Sequence, residues 1–267
     1  MKKAIIIIIT AVLALPLLAQ EPTALLLVHF GTTYDDARAS TIDMINAKAS
    51  RKYPAMTVAD CFTSGIVRKR LAERGITKES AIDALLHLRA AGHQRVAVQP
   101  TFIIEGKEMA LLRRDVEQVR PFFDDIIVGT PLLYSIDDTR NVCSILTARH
   151  PASQKKHEHV LFVGHGTEGA ATAIYSQLDY MLHDSGHANY HVATIEGYPT
   201  LQTAIRTMKD QGARSVRLVP LLFVAGDHAT NDIAIEWREA LQKEGMTVSV
   251  VLEGMGEVDE IQDLILE

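Results

Sequence analysis

The 267-residue chain carries 33 acidic and 27 basic side chains, a formal charge of -6, and 47% of it is apolar. No basic stretch is interleaved with aromatics, which argues against nucleic acid as a partner. A globular chain of this length can bury one large core or two smaller ones. The two cysteines, Cys61 and Cys143, fit either a disulfide in an oxidising compartment or two buried thiols.

Met1-Lys2-Lys3, an almost unbroken apolar run from residue 4 to 19, and Gln20-Glu21-Pro22 follow the order of a secretory signal peptide. The run is short for a membrane span of about 20 residues, and no cysteine follows it to carry a lipid. Residues 1–20 are therefore expected to direct export, to the periplasm or beyond, leaving no stable membrane span after processing.

The mature chain reads as alternating strands and helices. Residues 24–30 form a buried strand ending in His29-Phe30-Gly31-Thr32, followed by a helix over 35–52 and a strand over 57–62. A short helix over 65–74 is capped by Ser64, and another starts at Lys78 behind Thr77 and stops at Gly92. The strand over 96–104 has Pro100 in its middle, which implies a bulge or an edge position. A helix over 107–119, a strand over 126–128 and a helix over 136–148 lead into a polar stretch over 149–159. That stretch is the expected boundary between an N-terminal lobe, 21–150, and a C-terminal lobe, 151–267.

The second half repeats the order: strands over 160–163, 191–195, 216–224 and 247–252, helices over 171–184, 201–211, 229–244 and 258–266. This alternation argues for parallel βαβ units. The halves also look duplicated. The nine residues from Gly92 to Pro100 align without gaps on Gly212 to Pro220, and the register continues from Gly106-Lys107-Glu108 to Gly226-Asp227-His228. Val58-Ala59 matches Val192-Ala193, and Leu27-Val28-His29 loosely matches the run up to His165. The fold class expected is α/β, with two similar lobes facing each other across a cleft.

Three strand ends in the second half carry metal-ligating side chains: His165 in VGHGT, Glu196 in TIEGYP and His228 in GDHA. Ligands of open α/β sheets bind outside the carboxyl ends of the strands, where residues distant in sequence converge. Two imidazoles and a carboxylate suit a divalent first-row metal with coordination positions left open. A lone His-Gly pair is as readily a buried histidine in a tight turn; the recurrence at three strand ends favours ligation. Asp227 either orients the imidazole of His228 or, more simply, caps the following helix. His87, His150, His157, His159, His183, His187 and His191 read as surface or structural, and Lys155-Lys156-His157-Glu158-His159 as a solvated loop. There is no Gly-x-Ser-x-Gly nucleophile signature and no phosphate-cradling glycine loop.

These three motifs in this order, with LLVHFGTTYDDAR, CFTSGIVRKRL and LEGMGE, resemble the class II tetrapyrrole chelatases, specifically the anaerobic sirohydrochlorin cobaltochelatases. The resemblance spans nearly the whole mature chain. It implies two flavodoxin-like lobes, a tetrapyrrole in the cleft, and Co(II) as substrate metal held by His165, Glu196 and His228. It also implies that Glu108 is an acidic residue facing the macrocycle. The leader makes the physiological pair of metal and macrocycle a separate question, with Fe(II) or haem as the other candidates. A non-catalytic exported carrier of haem or metal, using the same cleft, is the competing reading. Whether the chain forms a homo-oligomer is left open.

Overall fold

A computed structural model of the protein describes residues 22–153 and 157–267. Residues 1–20, read as the leader, and Lys155 and Lys156 lie outside the described residues. Strand β1 (Ala24–His29) is buried along its whole length, as a strand covered on both faces must be. It lies inside a parallel sheet of order β2-β1-β3-β4, with β2 (Thr57–Phe62), β3 (Arg95–Pro100) and β4 (Asp125–Val128). The second half builds the same sheet again, β6-β5-β7-β8, from β5 (Glu158–Gly166), β6 (Tyr190–Glu196), β7 (Ser215–Leu221) and β8 (Thr247–Val250). The α/β class with two similar parallel sheets is as expected.

Helices connect the strands. The first begins as α1 (Asp35–Arg38), passes through a π-helical stretch (Ala39–Asp43) and continues as α2 (Met44–Lys52). Next come α3 (Gly65–Ala72), α4 (Ala81–Ala90), α5 (Lys107–Val119) and α6 (Ile136–Arg149). The second half has α7 (Ala173–Asp184), α8 (Leu201–Asp210), a π-helical stretch (Ala229–Trp237) running into α9 (Arg238–Lys243), and α10 (Asp259–Ile265). Ser64 caps α3 as expected, its hydroxyl accepting from the Val67 N–H at 3.3 Å. Helix α4 starts later than expected: Ser80, not Thr77, is its cap, and the Ser80 hydroxyl accepts from the Asp83 N–H.

Two strand readings need correction. Pro100 ends β3 rather than interrupting it, and β3 is an inner strand, so neither a bulge nor an edge position is needed. The next N–H, of Thr101, donates to Val28 O at 2.9 Å, so the ladder closes around the proline. Strand β5 is longer than the apolar run that announces it. Glu158 and His159 belong to it and are buried, so these two residues are not part of a solvated loop. Arg217 on β7 explains this: its guanidinium donates to both Glu158 oxygens at 3.0 Å. Cys61 and Cys143 are both free thiols, buried in different apolar clusters, and burial pushes both upward from the ordinary thiol range.

One apolar cluster runs through both sheets, joining Leu25, Leu27, Ile42 and Phe62 to Val160, Phe162, Val192 and Leu221. The last helix of each half reaches across to the other half. Val142, Cys143 and Leu146 of α6 bury into this cluster beside Leu178 and Leu182 of α7. Helix α10 returns to α2, where Lys48 pairs with Asp259 and Asp263 at 2.8 and 2.5 Å. The carbonyl of Leu266 takes hydrogen bonds from Lys52 and Tyr53. Such exposed ion pairs are each worth less than about 1 kcal/mol, whereas truncating a buried leucine costs about 2–5 kcal/mol. The shared apolar cluster therefore does most to hold the halves together. Among the described residues no helix is long and apolar enough to cross a membrane.

Candidate functional site

His165 is the one residue of β5 that is not fully buried, because the strand emerges from the core there. The glycines flanking it are required by packing. A Cβ on Gly164 would stand 2.2 Å from the Tyr175 ring, and one on Gly166 would stand 1.7 Å from the carbonyl oxygen of Glu196. Gly166 also has φ +80°, a left-handed conformation that favours glycine. This close approach seats β5 against β6 with Gly166 opposite Glu196, so the first two site residues are neighbours across the sheet. The Nδ1–H of His165 donates to Gly166 O at 3.1 Å, which leaves the Nε2 lone pair free.

His228 approaches from the turn after β7, just before the π-helical stretch. Its ring meets that of His165 edge to face, with centroids 4.7 Å apart and planes at 83°. The Nδ1 of His228 lies 2.5 Å from Asp232 Oδ2, one helical turn on, so its proton points at the carboxylate and its Nε2 is also free. The site thus presents two imidazoles whose Nδ1 atoms are both occupied and whose Nε2 atoms remain for a ligand. π-Helical geometry of this kind is frequent at functional sites.

Asp227 plays neither of the roles expected of it. Its carboxylate accepts from the Tyr34 hydroxyl and from Asn231 Nδ2, each at 3.0 Å. The first bond spans the two halves, because Tyr34 sits just before α1. The residue that fixes the tautomer of His228 is Asp232. Its position four residues on, on the same helical face, was the available signal.

The Glu196 side chain is exposed and makes no hydrogen bond or ion pair with any described residue. The structure brings the two histidines together and sets Glu196 on the adjacent strand, without closing the three into a ligand triangle among the described residues. Glu108, in the first turn of α5, accepts from the Thr63 hydroxyl at 2.8 Å and touches none of the three. Of the histidines read as surface or structural, His159 and His191 are buried and hydrogen-bonded to each other, and His183 and His191 gather beside Asp179. The buried His29, whose sequence context resembles that of His165, is tied to Thr101 and Asn46.

Comparison with known proteins matches residues 23–267 to the family model described as cobalt chelatase (CbiK). A sirohydrochlorin cobaltochelatase of Salmonella typhimurium is 35% identical over 88% of this chain and 90% of its own length. The sirohydrochlorin cobaltochelatase CbiKC of Nitratidesulfovibrio vulgaris is 32% identical over 91% of this chain and 88% of its own. Among solved structures, SirB from Bacillus subtilis with Fe3+ shares the fold, with a TM-score of 0.64 at 12% identity over 92% of this chain and 93% of SirB. Matching the family model over nearly the whole described chain, and two relatives above 30% identity, the protein belongs to the CbiK cobalt chelatase family.

Proposed function

We propose that this protein is a sirohydrochlorin cobaltochelatase that works outside the cytoplasm, inserting Co(II) into the macrocycle as two pyrrole protons leave. The observation that carries this reading is the contact between His165 and His228, each with Nδ1 engaged and Nε2 free. The two imidazoles and the unpaired Glu196 carboxylate can hold a hydrated divalent ion by part of its coordination sphere. The remaining faces stay open for exchange with macrocycle nitrogens. That Glu196 is free and exposed suits a metal that is delivered and handed on.

Removing two pyrrole protons requires an acceptor. His165 can serve once its Nε2 has released the metal, since one lone pair cannot hold both ion and proton. Its Nδ1–H bond to Gly166 O persists in the imidazolium, so protonation need not reorient the ring. Glu196, opposite Gly166, then balances the new charge. Glu108 supports the reading as an acidic group at the corresponding place in the first half, available to a pyrrole N–H. The leader-like residues 1–20 support export, and Fe(II) is the other metal this donor set accepts.

The test crosses sirohydrochlorin and protoporphyrin with Co(II), Fe(II) and Ni(II), following insertion by the change in the macrocycle spectrum. Multiple turnovers with sirohydrochlorin and Co(II) are expected. Stoichiometric haem binding, with no metal entering any macrocycle, would replace the enzyme by a carrier.

A further inference from the structure

A second group of metal-ligating side chains lies at the other end of β6. His191 is five residues before Glu196, about 16 Å along the strand. Asp179 and His183 stand four apart on one face of α7 and meet it there. One ligand atom from each of the three lies within 4.8 Å of the other two. His191 is buried, and its ring packs edge to face on His183 with centroids 5.3 Å apart.

The hydrogen bonds around the group are those of a ligand set already oriented. His183 Nε2–H donates to Tyr190 O at 2.7 Å, which leaves the Nδ1 lone pair. His191 Nε2 shares a proton with His159 Nδ1 at 2.8 Å, the two rings stacked 4° from parallel, which leaves His191 Nδ1. Asp179 Oδ1 accepts from the Val192 N–H of edge strand β6 at 2.8 Å, and its other oxygen has no partner among the described residues. A half-buried carboxylate with one oxygen unpaired, set against two imidazoles, has no cation beside it among the described residues, and a divalent ion supplies one. A cavity of about 140 Å³, lined by Asp179, His191, Tyr198, Pro199, Thr203 and Thr207, adjoins two of the three ligands and leaves room for water.

We propose that Asp179, His183 and His191 form a second divalent-metal site, for a borderline first-row ion such as Zn(II) or Co(II), separate from the insertion site. His159, the Val192 N–H and the Tyr190 carbonyl orient its ligands. Because its ligands come from two packed elements, α7 and β6, and His191 is buried, the set suits a resident ion better than one passed to a macrocycle. A metal there would pin helix α7 to the exposed edge of the second sheet.

The test uses the His165→Ala/His228→Ala chain, so that metal at the strand ends does not contribute, and measures Zn(II) retained after equilibrium dialysis. About one equivalent should remain, with a rise in unfolding temperature on adding Zn(II). Adding Asp179→Asn, which keeps the acceptor for the Val192 N–H but removes the charge, should weaken Zn(II) binding at least tenfold. Adding His183→Gln as well should abolish it. Co(II) in place of Zn(II) should give the visible bands of a low-coordinate site in the starting chain and lose them with Asp179→Asn. A folded His165→Ala/His228→Ala chain that binds no Zn(II), or binding unchanged by Asp179→Asn, would overturn the proposal and leave a proton shared between Asp179 and a histidine. Should Asp179→Asn/His183→Gln not fold, Asp179→Asn alone decides.

Discussion

Replacing Asp232 by alanine separates what orients His228 from what holds the fold. The carboxylate lies 2.5 Å from His228 Nδ1, while its side chain is 25% exposed and that of His228 47% exposed. At that exposure the pair contributes less than about 1 kcal/mol to stability, and salt screens it further. The metal feels the loss more strongly. Without the acceptor the ring can rotate or move its proton to Nε2, the ligand atom, and an outer-shell partner of this kind is worth about 10–100-fold in metal affinity. That is about 1.4–2.7 kcal/mol. Asp232→Ala should therefore weaken Co(II) binding and lower kcat/KM by at least tenfold, with the urea midpoint nearly unchanged. Asp232→Asn, which can still accept from Nδ1–H, should recover part of the loss. Co(II) affinity by competition with a chelator, measured beside circular dichroism, reads both effects. An Asp232→Ala chain within about twofold of wild type in Co(II) affinity would show that His228 does not use Nε2 as a ligand.

Further outcomes follow from the same geometry. His165→Ala, Glu196→Ala and His228→Ala should each abolish tight Co(II) binding while leaving the far-ultraviolet spectrum intact; retention by any two would remove the proposed ligand set. His165→Ala should slow insertion at least tenfold, about 1.4 kcal/mol or more in transition-state stabilisation. Gly166→Ala places a Cβ 1.7 Å from the Glu196 carbonyl and forces alanine to φ +80°, so it should lower the urea midpoint and uncouple β5 from β6. The pH dependence of stability should follow His29, which is fully buried and held down to about 4, chiefly by desolvation. Since the unfolded chain binds that proton near pH 6.5 and the folded chain does not, this contribution is complete above about 6.5. It is lost as pH falls toward about 4, by up to about 3 kcal/mol. Urea midpoints that do not fall between pH 7 and 4.5 would contradict a neutral buried His29.

The inner strands β1, β3, β5 and β7 were legible because each is an apolar-rich run with a glycine or proline at or near its end, and two of the three site motifs follow such strands. What sequence could not supply was the partner of each polar residue. Glu158 and His159 look solvent-facing until Arg217 and His191 are seen opposite them on neighbouring strands. The sequence marks His183 and His191 only as surface or structural and gives no reason to single out Asp179, because the cluster needs α7 folded onto β6. Asp227 was a reasonable choice beside His228, but contact along a helix runs four residues on, to Asp232. The match of Gly92–Pro100 to Gly212–Pro220 holds in the structure, whereas the matches of Val58-Ala59 to Val192-Ala193 and of His29 to His165 are out of register. In the structure Val28 pairs with Pro100 as Val163 pairs with Pro220, and Val28 pairs with Cys61 as Val163 pairs with Ala193.

That register says what became of the site in the first half. If Val28 corresponds to Val163, then Phe30 stands where His165 stands, and Gly31 matches Gly166, both at positive φ. Cys61 matching Ala193 puts Ser64 where Glu196 stands, and matching the Gly106 turn to the Gly226 turn puts Glu108 in the place of His228. His29, the residue that most resembles His165 in sequence, occupies the place of Gly164 and is buried, so it cannot be its counterpart. One half thus carries two imidazoles and a free carboxylate at its strand ends. The other carries a half-exposed phenyl ring, a hydroxyl already capping α3, and a carboxylate held by Thr63. The first set has the donors that a divalent ion takes; the second has one anionic group, which can meet a pyrrole N–H, and an aromatic face, which can stack on a flat macrocycle. Two copies of one sheet would therefore have divided the reaction between them, the second half presenting the ion and the first orienting the ring that receives it.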